Sequence, residues 1–162
     1  MSTSGARAAL TGTDVLATES HRNTRKEKGK KNKTIEKAGM SEFLHGEITK
    51  EIIGAAFEVW KVLGYGCLEK VYENALVVEL KLRGLAVEQQ FNIDVQHKGV
   101  VVGQYAADLF TEDKVIVELK AEKEYNSKHE AQLLNYLKGA GVRVGLLLNY
   151  GEKKCEFERL VM

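Results

Sequence analysis

Apolar residues at Ile48, Ile52, Ala55, Ala56, Val59 and Leu63 recur at steps of three and four, which predicts an amphipathic helix from about Ser41 that ends at Gly64. A second helix is expected from about Leu68 to Arg83, with Leu68, Val71, Tyr72, Ala75, Leu76 and Leu80 turned inward and Gly84 past its end. The period then changes. Val87, Phe91, Ile93 and Val95 alternate with polar residues, and His97-Lys98-Gly99 turns the chain into a strand that starts at Val100 and runs through Tyr105 to Phe110. Thr111-Glu112-Asp113 returns it as a third strand, Lys114 to Lys120. A third helix is expected over Ser127 to Gly139, with Ser127 as N-cap and Glu130 as its capping-box partner. Val144 to Leu148 reads as a buried strand and Cys155 to Val161 as a final alternating one. A helix between the third and fourth strands lets them lie parallel, so the order α-α-β-β-β-α-β-β implies a mixed β-sheet flanked by helices.

One strand breaks its own pattern. In Val115-Ile116-Val117-Glu118-Leu119-Lys120 an acid and an amine two residues apart project to one face of an otherwise apolar segment. An unpaired buried charge costs roughly several kcal/mol, so a central strand carries such groups only where something satisfies them. Asp108, across the turn, folds back to about the level of Glu118. Two carboxylates so close repel unless one takes up a proton or a cation sits between them. Mg²⁺ or Mn²⁺ suits such hard oxygen ligands, and a lysine beside them could assist a metal-bound water. These are the minimum parts for phosphodiester hydrolysis. An isolated D…E-x-K also arises as ordinary surface ions, but the hydrophobic residues flanking this one place its strand centrally.

Two further strings point to the same patch. Gln132 and Tyr136, four residues apart, share a face of the helix after the Glu-x-Lys strand, where an amide could orient a water and a phenol could touch a phosphate; both could equally cap the sheet edge. Gly66-Cys67-Leu68-Glu69-Lys70-Val71-Tyr72 opens the second helix with Glu69 and Tyr72 on one face; as a first-turn acid, Glu69 also complements the helix dipole. His45 and His129 are expected as exposed helix residues and His97 as a turn residue, and no histidine pair has ligand spacing.

Charge changes the picture mainly at the N-terminus. Residues 1–40 hold nine Lys or Arg against four acids, so of the overall +1 this segment carries +5 and residues 41–162 carry −4. The segment has few large apolar residues and no periodicity, and is expected to be a disordered basic tail or nucleic-acid arm, with translation alternatively starting at Met40. The acidic body argues against a large fixed phosphate-binding surface. Two distant cysteines in a chain that is 44% hydrophobic fit neither a disulfide framework nor a zinc site, and no apolar run reaches the roughly 18 residues of a membrane span. A cytoplasmic protein without membrane contact is expected.

Residues 41–162 resemble the GxxExxY proteins of the PD-(D/E)XK nuclease superfamily. The likeness rests on HGEITKEIIGAAFEVWKVLGYGCLEKVYENAL, YAADLFTEDKVIVELKA, and EAQLLNYLK before VGLLLNYG, in that order. It implies a restriction-endonuclease-like core with Asp108, Glu118 and Lys120 at the motif positions and Glu69 as an added helix-borne acid. Gln132 and Tyr136 match the Q-x-x-x-Y of the superfamily's RecB-like exonuclease branch. The chain departs from the family at Trp60, where histidine is frequent, and at Gly64-Tyr65-Gly66, where Gly-Pro-Gly is common. The reading that follows is an Mg²⁺- or Mn²⁺-dependent nuclease acting on DNA rather than RNA. In it Asp108, Glu118 and Glu69 hold metal, Lys120 assists the water, and Gln132 and Tyr136 steady substrate. The alternative is a non-catalytic module that keeps the fold and binds nucleic acid or protein; a homodimer is compatible with either.

Overall fold

The computed structural model describes residues 44–162. The tail, the basic arm and the start at Met40 lie outside the described residues. The elements follow the expected order: α1 (Gly46–Leu63), α2 (Glu69–Leu82), β1 (Val87–His97), β2 (Val100–Thr111), β3 (Val115–Lys120), α3 (Lys128–Ala140), β4 (Val144–Tyr150) and β5 (Cys155–Val161).

The five strands form one mixed sheet in sequence order, antiparallel except where β3 and β4 run parallel. That exception is imposed by α3, which carries the chain back across the sheet between them. β3 and β4 are central and apolar on both sides because each side is covered. On one side Val115, Val117 and Leu119 join Leu146 and Leu148 beneath Ile52, Ala55, Ala56 and Val59 of α1 and Tyr72, Leu76 and Leu80 of α2. On the other, Ile116 and Leu147 meet Leu133, Tyr136 and Leu137 of α3. Gly145 permits the close approach of α3, since a Cβ there would lie 2.9 Å from Leu133 Cδ1.

Local details depart from expectation. Leu68 and Val71 are exposed, and Glu73 takes the inward position one turn after Glu69, with Tyr72 beside it. The helix is rotated so that Tyr72 stacks on Tyr150 at 4.3 Å between ring centroids, with the rings nearly parallel. The Tyr72 hydroxyl donates to the Gly64 carbonyl at 2.6 Å and accepts the Cys67 amide at 3.2 Å. This phenol pins the Gly64–Cys67 turn in place of a side-chain cap, which α2 lacks.

The capping box at α3 does not form. Ser127 already has helical dihedrals and makes no cap hydrogen bond, so Asn126 Oδ1 accepts the Lys128 amide at 3.1 Å instead. Glu130 is drawn away by the Tyr125 hydroxyl, which donates to it at 2.8 Å. His45 precedes α1 in a left-handed conformation, and His129 is half-buried against Glu122 at 2.8 Å, so neither is a free exposed helix residue.

Candidate active site

β3 carries its charges where the sheet opens. β2 pairs with β3 over only three residue pairs, ending at Leu109 opposite Val117. One step further, where Asp108 would face Glu118, the ladder stops and the Asp108 side chain replaces it: Oδ2 accepts the Leu119 amide at 2.8 Å. The strands therefore part beside the acid-x-lysine segment, with Asp108 bridging the gap.

Glu118 is buried at 3% exposure. Its Oε1 accepts both Lys120 Nζ at 2.8 Å and Gln132 Nε2 at 3.0 Å, while its buried Oε2 has no partner among the described residues. Gln132 Nε2 also donates to the Tyr136 hydroxyl at 2.6 Å. The Q-x-x-x-Y face of α3 is thus directed at Glu118, and its amide, itself bonded to the phenol, holds the carboxylate in one orientation.

The electrostatics are those of a crowded acidic site. Burial, then the Asp108 charge, pushes the Glu118 carboxyl up to about 7, against the pull of Lys120. Asp108 is raised by burial as well, with the Leu119 amide, Lys120 and the neighbouring Gln90 amide opposing. Burial works against the Lys120 ammonium, but the hydrogen bond and charge of Glu118, with Glu69 and Asp108, leave its pKa above the ordinary lysine value. Glu69, at the start of α2, reaches solvent; loss of hydration on its protein side raises its pKa, Lys120 lowers it and Asp108 raises it. Asp108, Glu118, Lys120 and Glu69 therefore feel one another from three separate elements.

A divalent cation suits part of this set. An unpartnered, buried carboxylate oxygen on Glu118 with Asp108 and Glu69 nearby is a hard-donor arrangement. Among the described residues, however, no three His, Cys, Asp or Glu side chains already stand close enough together to hold an ion. Asp108 and Glu118 are brought together, whereas Glu69 stands on an exposed helix end.

Sequence patterns alone passed over three supporting residues. Glu73, 3% exposed, accepts Lys70 Nζ at 2.6 Å, Gln89 Nε2 at 3.0 Å and Gln90 Nε2 at 3.1 Å, and its charge bears on Asp108. Its four-residue spacing from Glu69 was the available signal. Gln90 had none. Asn149, a polar residue at the end of the buried β4 strand, takes the Glu122 amide at 2.9 Å and donates to the Glu122 carbonyl at 3.1 Å, fixing the chain as it leaves Lys120. Trp60 is used structurally: its indole donates to the Gly151 carbonyl at 3.0 Å.

Residues 46–160 match the PD-(D/E)XK nuclease superfamily along their whole length. The chain belongs to that superfamily. Membership carries a nuclease-type function at the level of the superfamily and accords with the mixed sheet and flanking helices. Two solved structures of low similarity are also matched. SSO0001 is 16% identical over 57% of this chain and 48% of its own, with a TM-score of 0.44, so the chain spans about half of its length. An alkaline exonuclease from Laribacter hongkongensis is 12% identical over 65% of this chain and 75% of its own, with a TM-score of 0.39. No curated protein matches the chain.

Proposed function

We propose that this PD-(D/E)XK protein is a metal-dependent nuclease that hydrolyses phosphodiester bonds in DNA, working in the cytoplasm as a member of the GxxExxY group. The observation that carries the reading is the state of Glu118: buried, fixed through Oε1 by Lys120 and Gln132, and left with Oε2 free of any partner among the described residues. A buried acceptor without a partner is costly, and a cation is the partner its chemistry suits. Asp108 and Glu118 would hold Mg²⁺ or Mn²⁺, with Glu69 reaching in from α2. When bound, the ion would polarise the phosphate and make water a better nucleophile at neutral pH.

The chain's own residues set the geometry. Gln132, backed by the Tyr136 hydroxyl, keeps the Glu118 carboxylate from rotating. The Leu119 amide does the same for Asp108. Lys120 stays cationic at neutral pH and can place its ammonium beside the attacking oxygen or the charge that grows on the phosphate.

The second reading, a non-catalytic binding module, is favoured by one feature: Lys120 already closes on Glu118, and no three-ligand cluster is preformed among the described residues. Incubating the protein with single- and double-stranded DNA and RNA, with Mg²⁺, Mn²⁺ or a chelator, separates the two. Metal-dependent cutting lost in Asp108→Ala and Glu118→Ala supports the nuclease; cutting that survives both substitutions rejects this site.

A further inference from the structure

The β1–β2 hairpin turns over at the level of the site. Residues two apart on a regular strand share a face. Here Val87 and Leu109 pack with the core under α1 and α2, whereas Phe91, Ile93 and Ala107 pack with the core under α3. The pairing register is the same on both sides of the change: Gln89 opposes Leu109, and Phe91 opposes Ala107. The pair that drops out of the ladder is Gln90 with Asp108. Both strands reverse their faces across this pair, and the exposed side of the outer hairpin, with Asn92, Asp94, Gln104 and Ala106, lines an open groove.

The turnover is made at Gln90, whose φ of 53° is in the left-handed region inside a strand. This conformation is uncommon for a side chain branching from an L-residue, and it recurs where a strand is bent to re-aim a group beside a functional site. Gln90 is also tied down at its far end, donating to buried Glu73 of α2 at 3.1 Å. Glu73 is in turn held by Lys70 and Gln89. The chain of contacts runs from α2 through Gln90 to the point on β2 where Asp108 leaves the ladder and takes the Leu119 amide.

We propose that Gln90 is a positioning residue for Asp108: its left-handed backbone, locked by the Glu73 carboxylate, turns the hairpin over and delivers the Asp108 side chain to the parted edge of β3. Its use in cleavage rests on the nuclease reading; its effect on the placement of Asp108 does not. Residues that orient metal-binding side chains in this way typically change metal affinity or activity by about 10–100-fold when altered.

The Leu119 amide reports the placement directly, because its hydrogen bond is to Asp108. Amide hydrogen exchange is measured on the metal-free protein for the parent, Gln90→Gly, Gln90→Val and Glu73→Leu. Glycine accepts the left-handed backbone but removes the tether; valine opposes the backbone itself. Leu119 is expected to lose at least roughly tenfold of its protection in Gln90→Gly and more in Gln90→Val, while amides of β4 keep theirs. Glu73→Leu, which frees the Gln90 amide, should resemble Gln90→Gly. Parental protection at Leu119 in Gln90→Gly and Gln90→Val overturns the proposal, as does equal loss throughout β4, which would mark general unfolding. In a parent that cuts DNA, Gln90→Gly should slow single-turnover cleavage by about 10–100-fold, and parental cleavage also overturns it. A parent that cuts nothing fails the nuclease reading alone, and the exchange result still decides the placement of Asp108.

Discussion

Val117 and Glu118 are neighbours on β3, both shielded from solvent, and they are buried in opposite ways. Val117 points toward α1 and α2 into a region filled by aliphatic side chains, with Leu146 at its side on β4. Glu118 points toward α3, where one carboxylate oxygen is shared by a lysine and a glutamine and the other has no partner. The first environment is closed, because dispersion and the hydrophobic effect need nothing beyond the chain itself. The second is left open in hydrogen-bonding terms. A difference of this kind within one strand separates the part that holds the fold from the part arranged to receive something.

The sharpest way to break the contrast is to remove the lysine. Lys120→Ala should lower single-turnover cleavage by on the order of 10²–10⁴-fold, the range for loss of a positioned proton-handling group. The folded state should survive, which circular dichroism would show; full cleavage by this variant would contradict the role assigned to the amine. On the other side of the strand, Leu146→Ala should destabilise the fold by about 2–5 kcal/mol through the cavity it leaves. Denaturant unfolding measures this, and cleavage per folded molecule should stay at the parental value.

Two smaller changes sharpen the same division. Gly145→Ala pushes a methyl into Leu133, and overpacking of this kind costs about 1–3 kcal/mol. Because Leu133 neighbours Gln132 on α3, cleavage should fall along with stability, unlike the outcome for Leu146→Ala. Tyr72→Phe keeps the stack on Tyr150 but strands the Cys67 amide and the Gly64 carbonyl, for a loss of about 1–3 kcal/mol in unfolding free energy.

Near neutral pH the closed core gives no signal of this kind, and its pH response appears only in alkali. Burial pushes the Cys155 thiol from 9.0 up to about 12. A raised thiol means that the folded form resists ionising while the unfolded chain ionises readily. The stability that the neutral thiol contributes is therefore whole below pH 9 and is lost as pH climbs from there through 12. Urea midpoints measured across that window should decline less steeply in Cys155→Ala, and parallel slopes would count against the assignment.

The element order was legible because hydrophobic period is a local property: three- and four-residue steps from Ile48 to Val59 mark α1, and alternation marks β1. The charge pair on β3 was legible for the same reason, since two residues on a strand share a face whatever surrounds them. The inward turn of Glu73 was not, because Val71 and Glu73 lie on nearly opposite sides of the helix and the stack of Tyr72 on distant Tyr150 decides which side turns inward. Nor was the failed capping box, where Tyr125 outcompetes Ser127 for Glu130.

What the sequence determined by itself was the order of helices and strands, the crossover that makes β3 and β4 parallel, and the chemical types of the side chains near the end of β3. Tertiary structure alone decided that β2 parts from β3 at Asp108, that Gln90 sits left-handed opposite it, and that one oxygen of Glu118 is left without a partner. The physical reason is range. Period and propensity act over a few residues, whereas the burial and pairing of a single carboxylate depend on three elements that meet only when the sheet and its helices have closed around it.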